Sequence, residues 1–130
     1  MQIAVLYLAT AATFLVLDAL MLGFVMKPLF QRHIGPLMVE PIRYAPAVLF
    51  YAAYVAGVVY LVGWPAVRDG APVLLPAAII GAMAYGTYEF TSYAIMRDWH
   101  PSMVIADTLW GATLTAIAAW AGVAAARAVG

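Results

Sequence analysis

From Ile3 to Met26 the chain is apolar, with a single charged interruption at Asp18. A helix needs about 20 apolar residues to cross a bilayer core. Three further stretches reach that length: about Tyr44 to Trp64, about Val73 to Met96 and about Ser102 to Ala126. Backbone groups surrounded by lipid must be satisfied within their own segment, so each stretch should be helical. Strands of a membrane barrel would show short alternating runs instead. Composition settles what surrounds the chain. Apolar residues make up 67% and charged residues 9%, against about 45–50% and about 25% in a soluble domain. There are too few polar side chains to cover a soluble surface. The expected fold is an all-α membrane protein, a single transmembrane domain over residues 1–130 with four transmembrane helices in a compact bundle.

The first stretch reads as an uncleaved span rather than a signal peptide. No Lys or Arg precedes Lys27, and the apolar run exceeds the length of a signal core. Nine of the twelve charged residues fall in the connectors or the tail. The first connector holds Lys27, Arg32, His33, Glu40 and Arg43. Its segment from Pro28 to Met38 mixes apolar and basic residues; a short interfacial helix suits it, and so does a plain loop with two prolines. The second span is expected to close at Gly63-Trp64-Pro65, followed by the charged turn Arg68-Asp69-Gly70. Trp64, Trp99, Tyr44 and Tyr60 lie near span ends, where an aromatic belt would place them. Lys27, Arg32, Arg43 and Arg97 lie on one side, and Arg68 and Arg127 on the other. That bias favours a multi-pass protein with the first and third connectors in the cytoplasm and both termini outside.

Three acids inside the spans need a reason. An ionised carboxylate at a helix centre costs about 2.5–3.5 kcal/mol on insertion scales. Asp18 lies about 8 residues before the end of span one, Glu89 about 7 before the end of span three, and Asp107 about 5 after the start of span four. Those three ends face one side, so the carboxyls should share a layer roughly 8–12 Å deep. Helical spacing extends the layer. Tyr85, Tyr88, Glu89 and Ser92 share a face of span three, Asp107 and Trp110 share one of span four, and Tyr51 and Tyr54 sit at that depth in span two. The nine residues Asp18, Tyr51, Tyr54, Tyr85, Tyr88, Glu89, Ser92, Asp107 and Trp110 outline a polar pocket for a ligand or a proton, open towards the first connector. Crowded carboxyls without a basic partner in the spans should hold at least one proton at neutral pH. The competing reading is structural: protonated carboxyls, Tyr and Thr can bond helix to helix, for about 0.6–2 kcal/mol each.

Other chemistry finds little support. With no cysteine, disulfides, thiol nucleophiles and thiolate metal sites are excluded. His33 and His100 lie on the carboxyl side, but no His-x-x-His or Glu-x-x-His spacing accompanies them, so no metal is expected. No cofactor motif, nucleotide loop or hydrolase elbow occurs. Zero net charge gives no indication of a nucleic acid partner. Gly81 with Ala82, Gly86, Gly111 and Gly122 are expected points of close helix packing.

Several strings resemble one family. Leu17-Asp18-Ala19-Leu20-Met21-Leu22-Gly23 and Phe50-Tyr51-Ala52-Ala53-Tyr54-Val55-Ala56-Gly57 resemble motifs of the DUF2177 family of small prokaryotic membrane proteins. Ala84-Tyr85-Gly86-Thr87-Tyr88-Glu89-Phe90-Thr91-Ser92 resembles its Tyr-x-Thr-Tyr-Asp-Leu-Thr-Asn stretch, and Ala106-Asp107-Thr108-Leu109-Trp110-Gly111 its Val-Asp-x-x-Trp-Gly stretch. Met21 departs from the family's common Trp, Glu89 from its Asp and Ser92 from its Asn. The resemblance implies a four-span bacterial membrane protein and supplies no mechanism. Three function classes stay open. One is binding or transport of a proton, a cation or a small molecule at the acidic pocket. Another is an accessory subunit of a larger membrane complex, whereas a homodimer belongs to the transport reading, by analogy with small four-span transporters. The third is a membrane enzyme acting on a lipid-like substrate.

Overall fold

The computed structural model describes residues 1–38 and 43–130; Glu40, expected in the first connector, lies outside them. The protein is an all-α membrane protein, about 90% helical and without strands among the described residues. The described residues form four helical stretches: α1 (Gln2–Leu37), α2 (Tyr44–Asp69), α3 (Leu74–Ile95) and α4 (Pro101–Val129). The first, second and fourth are long and apolar enough to cross a membrane. α3 is 22 residues long, about 33 Å. Its apolar character is diluted by Tyr85, Tyr88, Glu89 and Ser92, of which Glu89 and Ser92 are buried against other helices.

Prolines shape these helices. Pro46, Pro76 and Pro101 sit in the first turns of α2, α3 and α4, where a missing N–H costs nothing. Pro28 and Pro65 lie inside helices, and each follows a wide π-helical turn, Leu22–Met26 and Val59–Gly63. The wider turn gives the pyrrolidine ring room that a regular α-turn denies it. Two expectations change as a result. The first connector is helical over Lys27–Ile34, continuous with the first span rather than a separate element. The whole 36-residue stretch is about 54 Å long, so its last turns must project beyond a hydrocarbon core of about 30 Å. α2 does not close at Pro65 but runs on to Asp69. There Gly70, at φ +70°, adopts the left-handed conformation that glycine favours and turns the chain out.

α4 is the centre of the bundle. It buries Met103, Val104, Asp107, Gly111, Leu114, Thr115, Ala118, Ala119, Gly122, Val123 and Ala126. Small residues let its neighbours approach. A Cβ at Gly81 of α3 would strike the Gly111 carbonyl of α4, and one at Gly122 would strike Thr10 and the Leu6 carbonyl of α1. Gly86 stands apart, since a Cβ there would meet only an ordinary contact with Thr108, at 3.6 Å. In one half of the bundle Leu6, Val55, Val59, Ala66, Val123 and Ala126 form a closed apolar core. The Arg127 guanidinium donates to the Ala66 carbonyl at 3.0 Å and the Gln2 amide to the Ala126 carbonyl at 3.2 Å. Outward faces are apolar too: Leu8, Leu49, Leu75, Met83, Phe90 and Leu109 are all exposed, as lipid solvation requires.

Candidate functional site

The first half of α2 stands off from the other helices, with Tyr44, Val48, Leu49 and Phe50 exposed. Between it, α1, α3 and the start of α4 lies a cavity of about 520 Å³. Leu22, Met26, Phe30, Met38, Ala47, Phe50 and Ala84 give it apolar walls, and Tyr51, Tyr85 and Tyr88 add aromatic ones. Asp18 and Asp107 supply its acidic groups, and Lys27 lines it at the level of the first connector. The floor is aromatic. Phe14 packs on Tyr51 and Tyr54 with ring centroids 5.5 and 5.6 Å apart, and the Tyr54 hydroxyl pairs with Thr115 Oγ1 at 2.9 Å.

Each acid has its own surroundings. Asp18 Oδ1 accepts from Trp110 Nε1 at 3.2 Å, and the Tyr51 hydroxyl lies within hydrogen-bonding reach of the same carboxyl. Glu89 is fully buried and does not line the cavity. Its Oε1 accepts from Trp99 Nε1 at 3.0 Å, while Oε2 has no partner among the hydrogen bonds of the described residues. The Glu89 and Asp107 carboxyls lie within hydrogen-bonding reach of each other. Such a pair bonds only when one oxygen carries a proton, because carboxylates have no donor of their own. Among the described residues the ion pair formed is Arg68–Asp69, at 3.0 Å and exposed, so no Lys or Arg there neutralises the three acids. The Tyr85 hydroxyl is buried without a partner, a further unspent polar atom beside the cavity.

The nine residues singled out by spacing fall into three groups. Asp18, Tyr51, Tyr85, Tyr88 and Asp107 line the cavity. Tyr54 and Trp110 hold its floor and its wall through the bonds just described. Glu89 and Ser92 lie behind it on α3; the Ser92 carbonyl accepts the Met96 N–H that ends the helix. Spacing missed Trp99. Its place in a polar turn suggested an interfacial belt, yet it is 5% exposed and donates to Glu89. Ten residues separate the two across a turn, and no helical period connects them. Phe30 and Tyr88 hold its ring edge-on at 5.3 and 5.6 Å.

At the level of the first connector His33 stacks on His100 at 4.2 Å and 12°. His100 Nδ1 also accepts the Ser102 N–H at the start of α4. Lost hydration, followed by the neighbouring His100 and Arg32, holds His33 below the ordinary histidine range. No group of three or more metal-ligating side chains occurs among the described residues. The model of the DUF2177 family, described as a predicted membrane protein, matches residues 3–124. No curated protein and no solved structure matches the chain.

Proposed function

With a chain that belongs to the DUF2177 family of predicted membrane proteins as the premise, we propose that it binds and moves a small apolar cation through the acidic cavity. The observation that carries this reading is the cavity itself: about 520 Å³ of apolar and aromatic space, with Asp18 and Asp107 on its wall and no ion-pair partner for either among the described residues. Apolar walls favour a hydrophobic body, tyrosine faces attract a cation, and a carboxylate in a low dielectric selects positive charge. The fold serves this function as a single transmembrane domain in which α3 is the fourth span. Glu89 and Ser92 of its polar face are buried inside the protein rather than turned to lipid. Lys and Arg counts favour a cavity mouth on the cytoplasmic side; in a bacterial inner membrane, the termini would then be periplasmic.

Titrating purified protein in detergent with tetraphenylphosphonium, a hydrophobic cation, tests the reading by calorimetry. Saturable binding is expected, weakened about tenfold or more in Asp18→Asn and Asp107→Asn, or about 1.4 kcal/mol. An uncharged probe of the same shape should bind no better to the native protein than to the variants. Absence of saturable binding, or equal affinity in all three proteins, overturns it.

A further inference from the structure

Two of the three acids face the cavity and the third does not. Asp18 and Asp107 line it, whereas Glu89 is 0% exposed and keeps one oxygen, Oε2, unpartnered. Among these groups, its route to the cavity is Asp107, which lies within hydrogen-bonding reach of it. A cation in the cavity therefore touches Asp107 and Asp18 but not Glu89. We propose that Glu89 and Asp107 form a proton-exchange site, in which entry of a cation at Asp107 expels the proton that the two carboxyls share.

The step rests on the cation-binding reading above, and it balances. Before binding, the pair holds one proton and one negative charge. When the cation settles against Asp107, the carboxyl O–H bond breaks, its electron pair stays on the oxygen, and the proton leaves through the cavity to water at its mouth. The pair then carries two negative charges and the cation one positive, so the net charge of the site is unchanged. A low-dielectric site favours that exchange, because each uncompensated ionised acid costs about 2.5–3.5 kcal/mol. Trp99 is the positioning residue. By holding Glu89 Oε1 at 3.0 Å it fixes the carboxyl for contact with Asp107.

The groups that face the pair are Asp18 of α1, Tyr51 of α2, and Tyr85 and Tyr88 of α3. Trp99 reaches it from the turn. Lys27 lies farther out on the cavity wall, and His33 and His100 stack at the connector. Neither histidine is changed in the variant below, so any proton they exchange appears equally in both proteins.

The experiment is calorimetry of tetraphenylphosphonium binding in two buffers of different ionisation enthalpy. Native protein should release close to one proton per cation at neutral pH, and its affinity should rise about tenfold per pH unit where the pair is protonated. Glu89→Gln keeps an acceptor for Trp99 and a donor for Asp107 but has no proton to give. Its binding should remain measurable, with proton release near zero and a flat pH profile. Native protein that binds without releasing a proton, or a variant that releases as many as the native, overturns the exchange and leaves cation binding standing. No binding at all overturns both. If the variant does not fold, the carboxylic-acid infrared band of the native protein decides. It should fade when the probe is added, and an unchanged band refutes the proposal.

Discussion

The two halves of the bundle use the same four helices in opposite ways. In the half containing Leu6, Val55, Val59, Ala66 and Val123 the helices meet at apolar side chains and glycines, and the core is closed. In the half containing Asp18, Tyr51, Tyr88 and Asp107 the start of α2 stands away and leaves a cavity. α2 shows the contrast within one helix: Tyr44, Val48, Leu49 and Phe50 are exposed, while Val55, Val58, Val59, Val62 and Ala66 are buried. The difference teaches that the closed half supplies stability, so that the open half can carry unspent polar groups. A bundle packed closely along its whole length would have no room for the acids except as interhelical bonds.

The largest expected effect comes from adding one methyl group in each half. Gly122→Ala in the closed half drives a Cβ into Thr10 and the Leu6 carbonyl. It should cost about 1–3 kcal/mol, as overpacking does. Gly86→Ala in the open half meets only the ordinary contact with Thr108. It should be neutral, or stabilise by about 0.5–1 kcal/mol through helix propensity. Unfolding both variants in mixed micelles against the native protein checks the contrast. Equal losses would break it.

A smaller effect belongs to the connector end of the open half. His33 binds its proton less readily when folded than when unfolded, so the unfolded chain takes up the proton first on acidification. The contribution of the His33–His100 stack is then present above the ordinary histidine value of about 6.5 and weakens as pH falls through it. Amides from Met96 to His100 should exchange faster at about pH 5.5 than at about pH 7.5, after correction for intrinsic rates. Equal protection at the two values would show that the stack bears no load. The smallest effect is expected at the far end. Arg68→Gln removes an exposed ion pair with its own neighbour and should change stability by less than about 0.5 kcal/mol. A larger loss in the same unfolding assay would give that turn a role that its exposure denies.

Much of this architecture was legible in the chain. Apolar length marked the helices, because lipid tolerates little else, and the rise per residue brought Asp18, Glu89 and Asp107 to a common depth before any contact was known. The ends of helices were less legible. Pro65 reads as a stop, yet a π-helical turn admits it, and the stop falls at Gly70. Trp99 was misplaced for a different reason. A tryptophan in a polar turn suits an interface equally well whether its indole N–H faces headgroups or a buried Glu89.

The sequence by itself determined that the chain is an all-α membrane protein, which stretches are helical and where along them the acids fall. These follow from local rules: lipid exposure fixes composition, and helical rise fixes position along the axis. Only the tertiary structure decided which acid meets the cavity and which is shut behind it. That choice depends on how each helix is rotated and on where α2 parts from its neighbours. Helices that are apolar on nearly every face carry no stripe to announce their rotation. Close contacts at Gly81, Gly111 and Gly122 set it instead, and they place Asp107 between an open cavity and a sealed Glu89.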